Sequence, residues 1–164
     1  RGLGDVYKRQ ALIGGCEQIA TELEARTLVV SCLTTCPGPA YHRDGDWVRV
    51  LPTRVVIPTS DAMHTFGAAL ARELQAGDVV LACGDLGAGK TTLAQGIGVG
   101  LGVEGPVISP TFVLARRHAS AEGRPGLVHV DAYRLGSAAE LIDLDLDETM
   151  DQAVTLIELS LIHI

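Results

Sequence analysis

The residues of this chain best suited to chemistry stand together: Gly84-Asp85-Leu86-Gly87-Ala88-Gly89-Lys90-Thr91-Thr92. They satisfy the pattern G-x-x-x-x-G-K-[ST] without a mismatch. The glycines let the backbone turn tightly and aim successive N–H groups at one phosphate-sized anion. Lys90 adds a point charge for the β- and γ-phosphates, and the Thr91 hydroxyl is a hard oxygen donor suited to Mg²⁺. A helix starting near Lys90 directs the positive end of its dipole at the same anion.

Such a loop works only between a strand and a helix. The apolar run Val79-Val80-Leu81-Ala82-Cys83 reads as a strand buried on both faces. After the loop, Leu93, Ile97 and Leu101 recur at helical spacing, and Gly102 stops the helix. Strand, glycine loop and helix therefore follow in the required order.

A phosphate loop also needs a carboxylate at the tip of a neighbouring strand to hold Mg²⁺, directly or through water. Asp131 and Glu158 each close an apolar run, at residues 127–131 and 154–158. The plainer alternative for either is a strand-end residue capping a turn. Glu158 is also placed to polarise an attacking water. Thr111 lies in a loop that can carry a hydroxyl toward the γ-phosphate, its alternative being a simple turn residue. His129, inside the same run as Asp131, reads as a core histidine.

The rest of the chain supplies scaffold. Residues 54–57 read as a strand, Ser60 as a helix N-cap, and Met63, Phe66, Leu70 and Leu74 as the apolar face of a helix that Gly77 ends. Upstream, Ile19 and Leu23 suggest a short helix, residues 27–33 a strand, and Asp44-Gly45 the turn of a hairpin. Residues 113–115 read as a strand, and Ser137 to Glu140 form a capping box. The acidic stretch from Asp143 to Asp151 lacks the glycine and spacing of a Ca²⁺ loop and reads as a solvated face.

Bulk properties narrow the function. At 164 residues and 47% apolar content the chain can bury one proper core, and no apolar run reaches the length of a membrane span. A net charge of −7 argues against gripping nucleic acid through a basic face of its own. Cys16, Cys32, Cys36 and Cys83 form no C-x-x-C pair and read as reduced thiols of a cytoplasmic protein. Residues 1–10 and 159–164 resemble translated sequencing-adapter ends and are set aside as non-native. On that reading the chain is a truncated copy of a protein that continues past Glu158.

Four stretches in order resemble the TsaE family: residues 84–92, Ser109-Pro110-Thr111-Phe112, His129-Val130-Asp131-Ala132-Tyr133-Arg134-Leu135, and Leu156-Ile157-Glu158. The resemblance covers residues 53–158, leaving 11–52 as an N-terminal segment of unknown role. It implies a bacterial P-loop ATPase that joins TsaB and TsaD in threonylcarbamoylation of adenosine 37 in tRNA, meeting the tRNA through that complex. It further implies that Lys90 and the backbone of residues 84–92 hold phosphates, that Thr91, Asp131 and Glu158 surround Mg²⁺, and that Thr111 belongs to a switch-like loop. Tyr133 and Arg134 would shape the site or the partner face. Two departures stand out: Leu159 occupies the place of a tryptophan, and the family's further strands have no counterpart.

The expected fold is therefore α/β, a P-loop NTPase of three α/β/α layers with a mainly parallel sheet. The expected ligands are ATP and Mg²⁺, with Lys90, Glu158 and Thr111 catalytic. The lack of a guanine-reading N-K-x-D motif favours ATP over GTP. Two other functions remain open on the same residues. One is a small-molecule kinase, with Arg116, Arg117 and Arg134 its available lid arginines. The other is a nucleotide-binding interaction module without turnover.

Overall fold

A computed structural model describes residues 57–110, 114–121, 123–132 and 151–159, together with the strand backbones of residues 27–31, 40–43 and 46–49. Seven strands form one sheet: β1 (Thr27–Ser31), β2 (Ala40–Arg43), β3 (Asp46–Arg49), β4 (Val79–Cys83), β5 (Ala115–His118), β6 (Gly126–Asp131) and β7 (Ala153–Leu159). Their order across the sheet is β3-β2-β1-β4-β7-β6-β5. The four middle strands β1, β4, β7 and β6 run parallel, and β2, β3 and β5 close the two edges antiparallel. The fold is thus α/β with a mainly parallel sheet, as the apolar runs predict.

β4 lies between β1 and β7, and every one of its residues is buried. That placement explains its unbroken apolar run, since neither face meets water. The strands on either side of the D-G dipeptide do pair antiparallel, with Tyr41 opposite Val48 and His42 opposite Trp47, while residues 44 and 45 themselves lie outside the described residues. The upstream segment therefore supplies three strands to the sheet, one of them beside β4. Leu159, expected to lie in a non-native end, is the last residue of β7 and pairs with Cys83.

Two helices, α1 (Ser60–Leu70) and α2 (Lys90–Leu101), join the sheet in one core. Val80, Ala82, Leu93, Ile97, Leu127, Val154 and Leu156 make its centre, with Met63, Phe66, Leu70 and Leu74 packed against it. Each fully buried leucine or isoleucine there contributes about 1.5–3 kcal/mol relative to exposure. Helix meets helix through glycine: a Cβ on Gly67 would sit 2.6 Å from the Leu93 carbonyl oxygen, and one on Gly96 would sit 2.3 Å from that of His64. Glycine in mid-helix costs about 1 kcal/mol relative to alanine. Here it permits a backbone approach that no other residue allows, and so it fixes α2, the carrier of Lys90 and Thr91.

Several expectations shift by a few residues. The N-cap of α1 is Thr59, not Ser60; its Oγ1 accepts from the Ala62 N–H at 3.1 Å, and Ser60 is already helical. Gly77 does not end that helix, which stops at Leu70 with Ala71 as its cap. Gly77 instead takes a left-handed turn (φ 89°) and donates its N–H to Ala153 O at 3.0 Å, tying the entry of β4 to β7. Leu74 lies past the helix yet still packs on the core. The strand expected at 113–115 begins at Ala115. The helix around Ile19 and Leu23, residues 54–56 of the expected strand, the Ser137 capping box and all of the acidic stretch but Asp151 lie outside the described residues. No described helix is long and apolar enough to cross a membrane.

Candidate active site

The parallel strands β4, β6 and β7 end on the same side of the sheet, and each end carries a piece of the site. From β4 the chain turns through residues 84–89 into α2, as the motif predicts. Gly87 and Gly89 hold φ of 78° and 93°, values that other residues rarely adopt. Gly89 caps the helix from this left-handed conformation, and the Met63 side chain lies below it, 3.5 Å from where a Cβ would stand. The Gly84 N–H donates to Leu159 O at 3.1 Å, anchoring the loop to β7. Asp85, Leu86 and Gly87 are exposed at the loop tip.

Lys90 is buried at 8% exposure, its ammonium folded over the loop. Its Nζ donates to the Gly84 and Asp85 carbonyl oxygens, both at 2.9 Å. A lysine so confined has little rotamer freedom left to lose on meeting an anion. Thr92, two residues after Lys90 in α2, is partly buried.

Glu158 is the hub. Its Oε2 accepts from the Thr91 hydroxyl at 3.1 Å, and its Oε1 lies 2.8 Å from Nε2 of His129. The carboxylate is 6% exposed and the histidine fully buried. Beside it, Asp131 is the register partner of Glu158 across β6 and β7, so both side chains leave the same face. Asp131 is partly buried, accepts from Ser109 Oγ at 3.5 Å, and donates its own N–H to Leu114 O. Ser109 arrives on a loop held to α2 by Gln95, whose Nε2 donates to Val107 O at 3.3 Å.

Lys90, Thr91, Glu158 and Asp131 are thus gathered at one end of the sheet by β4, β6, β7 and α2. Thr111, Tyr133 and Arg134 lie outside the described residues. His129, read from sequence as a core residue, is buried but bonded to Glu158. The signal available was its place two residues before Asp131, on the same strand face. Ser109 was legible only as part of a motif. Arg116 and Arg117, the candidate lid arginines, are exposed on the edge strand β5. His118 on that strand has its pKa lowered from 6.5 by burial, reinforced by the charges of His129 and Arg116.

The donor set suits a hard cation shared with phosphate. Thr91, Asp131 and Glu158 offer only oxygens, and one or two carboxylates with phosphate and water are what Mg²⁺ commonly takes. Among the described residues no cluster of three or more His, Cys, Asp or Glu forms a cage of its own. The exposed tip at Gly87 has open space around it, with nothing within 4 Å of a Cβ placed there.

The sequence model of the family described as "Threonylcarbamoyl adenosine biosynthesis protein TsaE" matches residues 57–162. The chain belongs to the TsaE family. Proteins described as "tRNA threonylcarbamoyladenosine biosynthesis protein TsaE" are similar to it. That of Streptomyces coelicolor is 56% identical over 97 residues, which are 58% of this chain and 66% of that protein. That of Mycobacterium tuberculosis is 50% identical over 109 residues, 62% of this chain and 65% of the relative. That of Nostoc is 43% identical over 95 residues, 58% of this chain and 57% of the relative. The chain spans less than two thirds of the length of these curated relatives. The TsaE match reaches across α1, the phosphate loop, Asp131 and Glu158, and it extends past Glu158 into the end that sequence reading set aside.

Proposed function

We propose that this TsaE-family chain binds ATP with Mg²⁺ and hydrolyses it in support of tRNA threonylcarbamoyladenosine biosynthesis, in the cytoplasm and together with TsaB and TsaD. One observation carries the reading: the Thr91 hydroxyl, first turn of the phosphate-loop helix, donates to Glu158 at the tip of the adjacent strand. A hydroxyl and a carboxylate brought together from positions so far apart in sequence form the cation half of a nucleotide site, next to a loop whose glycines and buried lysine form its phosphate half.

In this reading the N–H groups of residues 84–92 bind phosphate oxygens, and Lys90, held by two loop carbonyls with one ammonium N–H still to give, neutralises the terminal phosphates. Thr91, Glu158 and Asp131 would hold Mg²⁺, which when bound offsets charge on the phosphates. Glu158 orients the attacking water and accepts its proton, and Thr111 adds a hydroxyl. Lys90 and Glu158 are thereby the main catalytic groups.

Calorimetry of Mg²⁺–ATP binding to the chain and to its Lys90→Ala variant tests the site, and phosphate release with and without TsaB and TsaD tests turnover. Saturable binding abolished in the variant, with release stimulated by the pair, is the expected result. Binding equal in both proteins would overturn the assignment of the phosphate site. Binding without release under either condition would leave the interaction-module reading instead, and phosphorylation of an acceptor the kinase reading.

A further inference from the structure

Resting on that reading and deepening it, we propose that His129 is a positioning residue for Glu158, holding one carboxylate oxygen so that the other meets Thr91. The geometry is a chain of two hydrogen bonds through one carboxylate: His129 Nε2 to Oε1 at 2.8 Å and Thr91 Oγ1 to Oε2 at 3.1 Å. A carboxylate can only accept, so Nε2 is the donor and carries the proton. The other ring nitrogen, Nδ1, is buried and has no partner among the described residues. Among the described residues the ring is therefore committed to Glu158 alone.

A structural role by itself would not need a histidine here. The other central residues of β6 are Leu127, Val128 and Val130, all buried and apolar. An imidazole at 0% exposure is costly unless its polar atoms are used. In the β6–β7 register His129 stands opposite Leu156, two residues before the Asp131–Glu158 pair and on the same face. Its ring thus approaches Glu158 from within the sheet face, on the side closed to water. Without that donor a glutamate has three side-chain torsions free to turn its carboxylate outward. With Oε1 fixed, the second oxygen is left at the start of α2, where the cation site begins. His129 acts through Glu158 and touches neither phosphate nor cation.

The test compares His129→Leu, which keeps bulk and loses the donor, with His129→Gln, whose amide N–H extends about as far as Nε2. The first readout needs no nucleotide: the coupling between Thr91→Val and Glu158→Gln in urea unfolding, measured in each background. We expect a coupling of roughly threefold to tenfold in the unfolding constant with His129 or with His129→Gln, and none with His129→Leu. The second is the enhancement of ATP affinity by Mg²⁺ in calorimetry. His129→Leu should lose about tenfold of that enhancement, with Mg²⁺-free affinity unchanged, and His129→Gln should restore it. A coupling that survives in His129→Leu, or a His129→Gln variant as defective as His129→Leu, would overturn the proposal. His129→Asn, polar but too short to reach Oε1, must behave as His129→Leu does, and it takes that variant's place if the leucine chain does not fold. If the chain with His129 binds no Mg²⁺–ATP at all, the functional reading falls, and the nucleotide-free coupling alone decides for or against positioning.

Discussion

Glu158 and Asp131 stand at the same level of neighbouring parallel strands and leave the same face of the sheet, yet they are held very differently. Glu158 sits on β7, flanked by β4 and β6, and both of its oxygens have partners on buried or helical residues. Asp131 sits one strand nearer the edge, beside β5, partly exposed, and its contact with Ser109 is at the long limit of a hydrogen bond. Register made the two carboxylates neighbours. Strand position then decided that one is buried between two parallel neighbours and the other lies partly exposed, one strand nearer the edge. In the proposed site, Glu158 is therefore the donor whose carboxylate is already oriented by two partners.

The comparison is sharpened most by Glu158→Gln. On the role proposed for Glu158, the variant removes the proton acceptor at a reacting water, a loss of on the order of 100-fold or more. Steady-state phosphate release should fall by at least that much while the thermal midpoint changes little. Gly96→Ala tests whether the helix seam supports Glu158 more than Asp131, because the new methyl would meet the His64 carbonyl and push the carrier of Thr91. Overpacking of this kind costs about 1–3 kcal/mol, readable in urea unfolding, and the Mg²⁺ enhancement of nucleotide affinity should weaken with it. Asp131→Asn should cost less than Glu158→Gln, about tenfold in Mg²⁺ affinity by titration with nucleotide present. Equal losses in the two carboxamide variants would break the comparison. Ser109→Ala should be milder still, under about threefold in the same titration, since the bond it removes is long.

The smallest expected effect lies on the β5 flank. The pKa of His118 is lowered from 6.5 in the folded chain, so folding favours its neutral form. Its contribution to stability is full above about pH 6.5 and is lost as pH falls through the lower folded value. Urea midpoints measured between pH 7.5 and 5 should therefore decline on the acid side, and His118→Phe should flatten that limb. An unchanged acid limb would show that His118 does not contribute to it.

Much of this molecule is legible along the chain because its signals are local. The glycine loop needs φ values that only glycine takes readily, so Gly87 and Gly89 announce it. The apolar runs of β4, β6 and β7 betray strands closed on both faces, and Gly102 marks the end of α2 with φ 72°. The antiparallel pairing of β2 with β3 follows from the same local rules. Errors arose where two residues could serve equally. Thr59 and Ser60 are both capping types, and only the backbone, extended at Thr59, chooses between them. Gly77 fits a helix end and a turn equally well, and its bond to Ala153, distant in sequence, settles the matter.

What the sequence by itself determined is the glycine loop with its strand and helix, and the two carboxylates at strand ends. These depend on backbone conformation and on periodicity, both properties of short segments. Only the tertiary structure decided the order β1-β4-β7-β6, and with it that Glu158 rather than Asp131 stands next to the phosphate-loop strand. It also decided the partner of His129. A histidine inside an apolar strand reads as core until the register of a second strand shows which atom its ring faces, because pairing between strands is a contact of long sequence separation that no local pattern encodes.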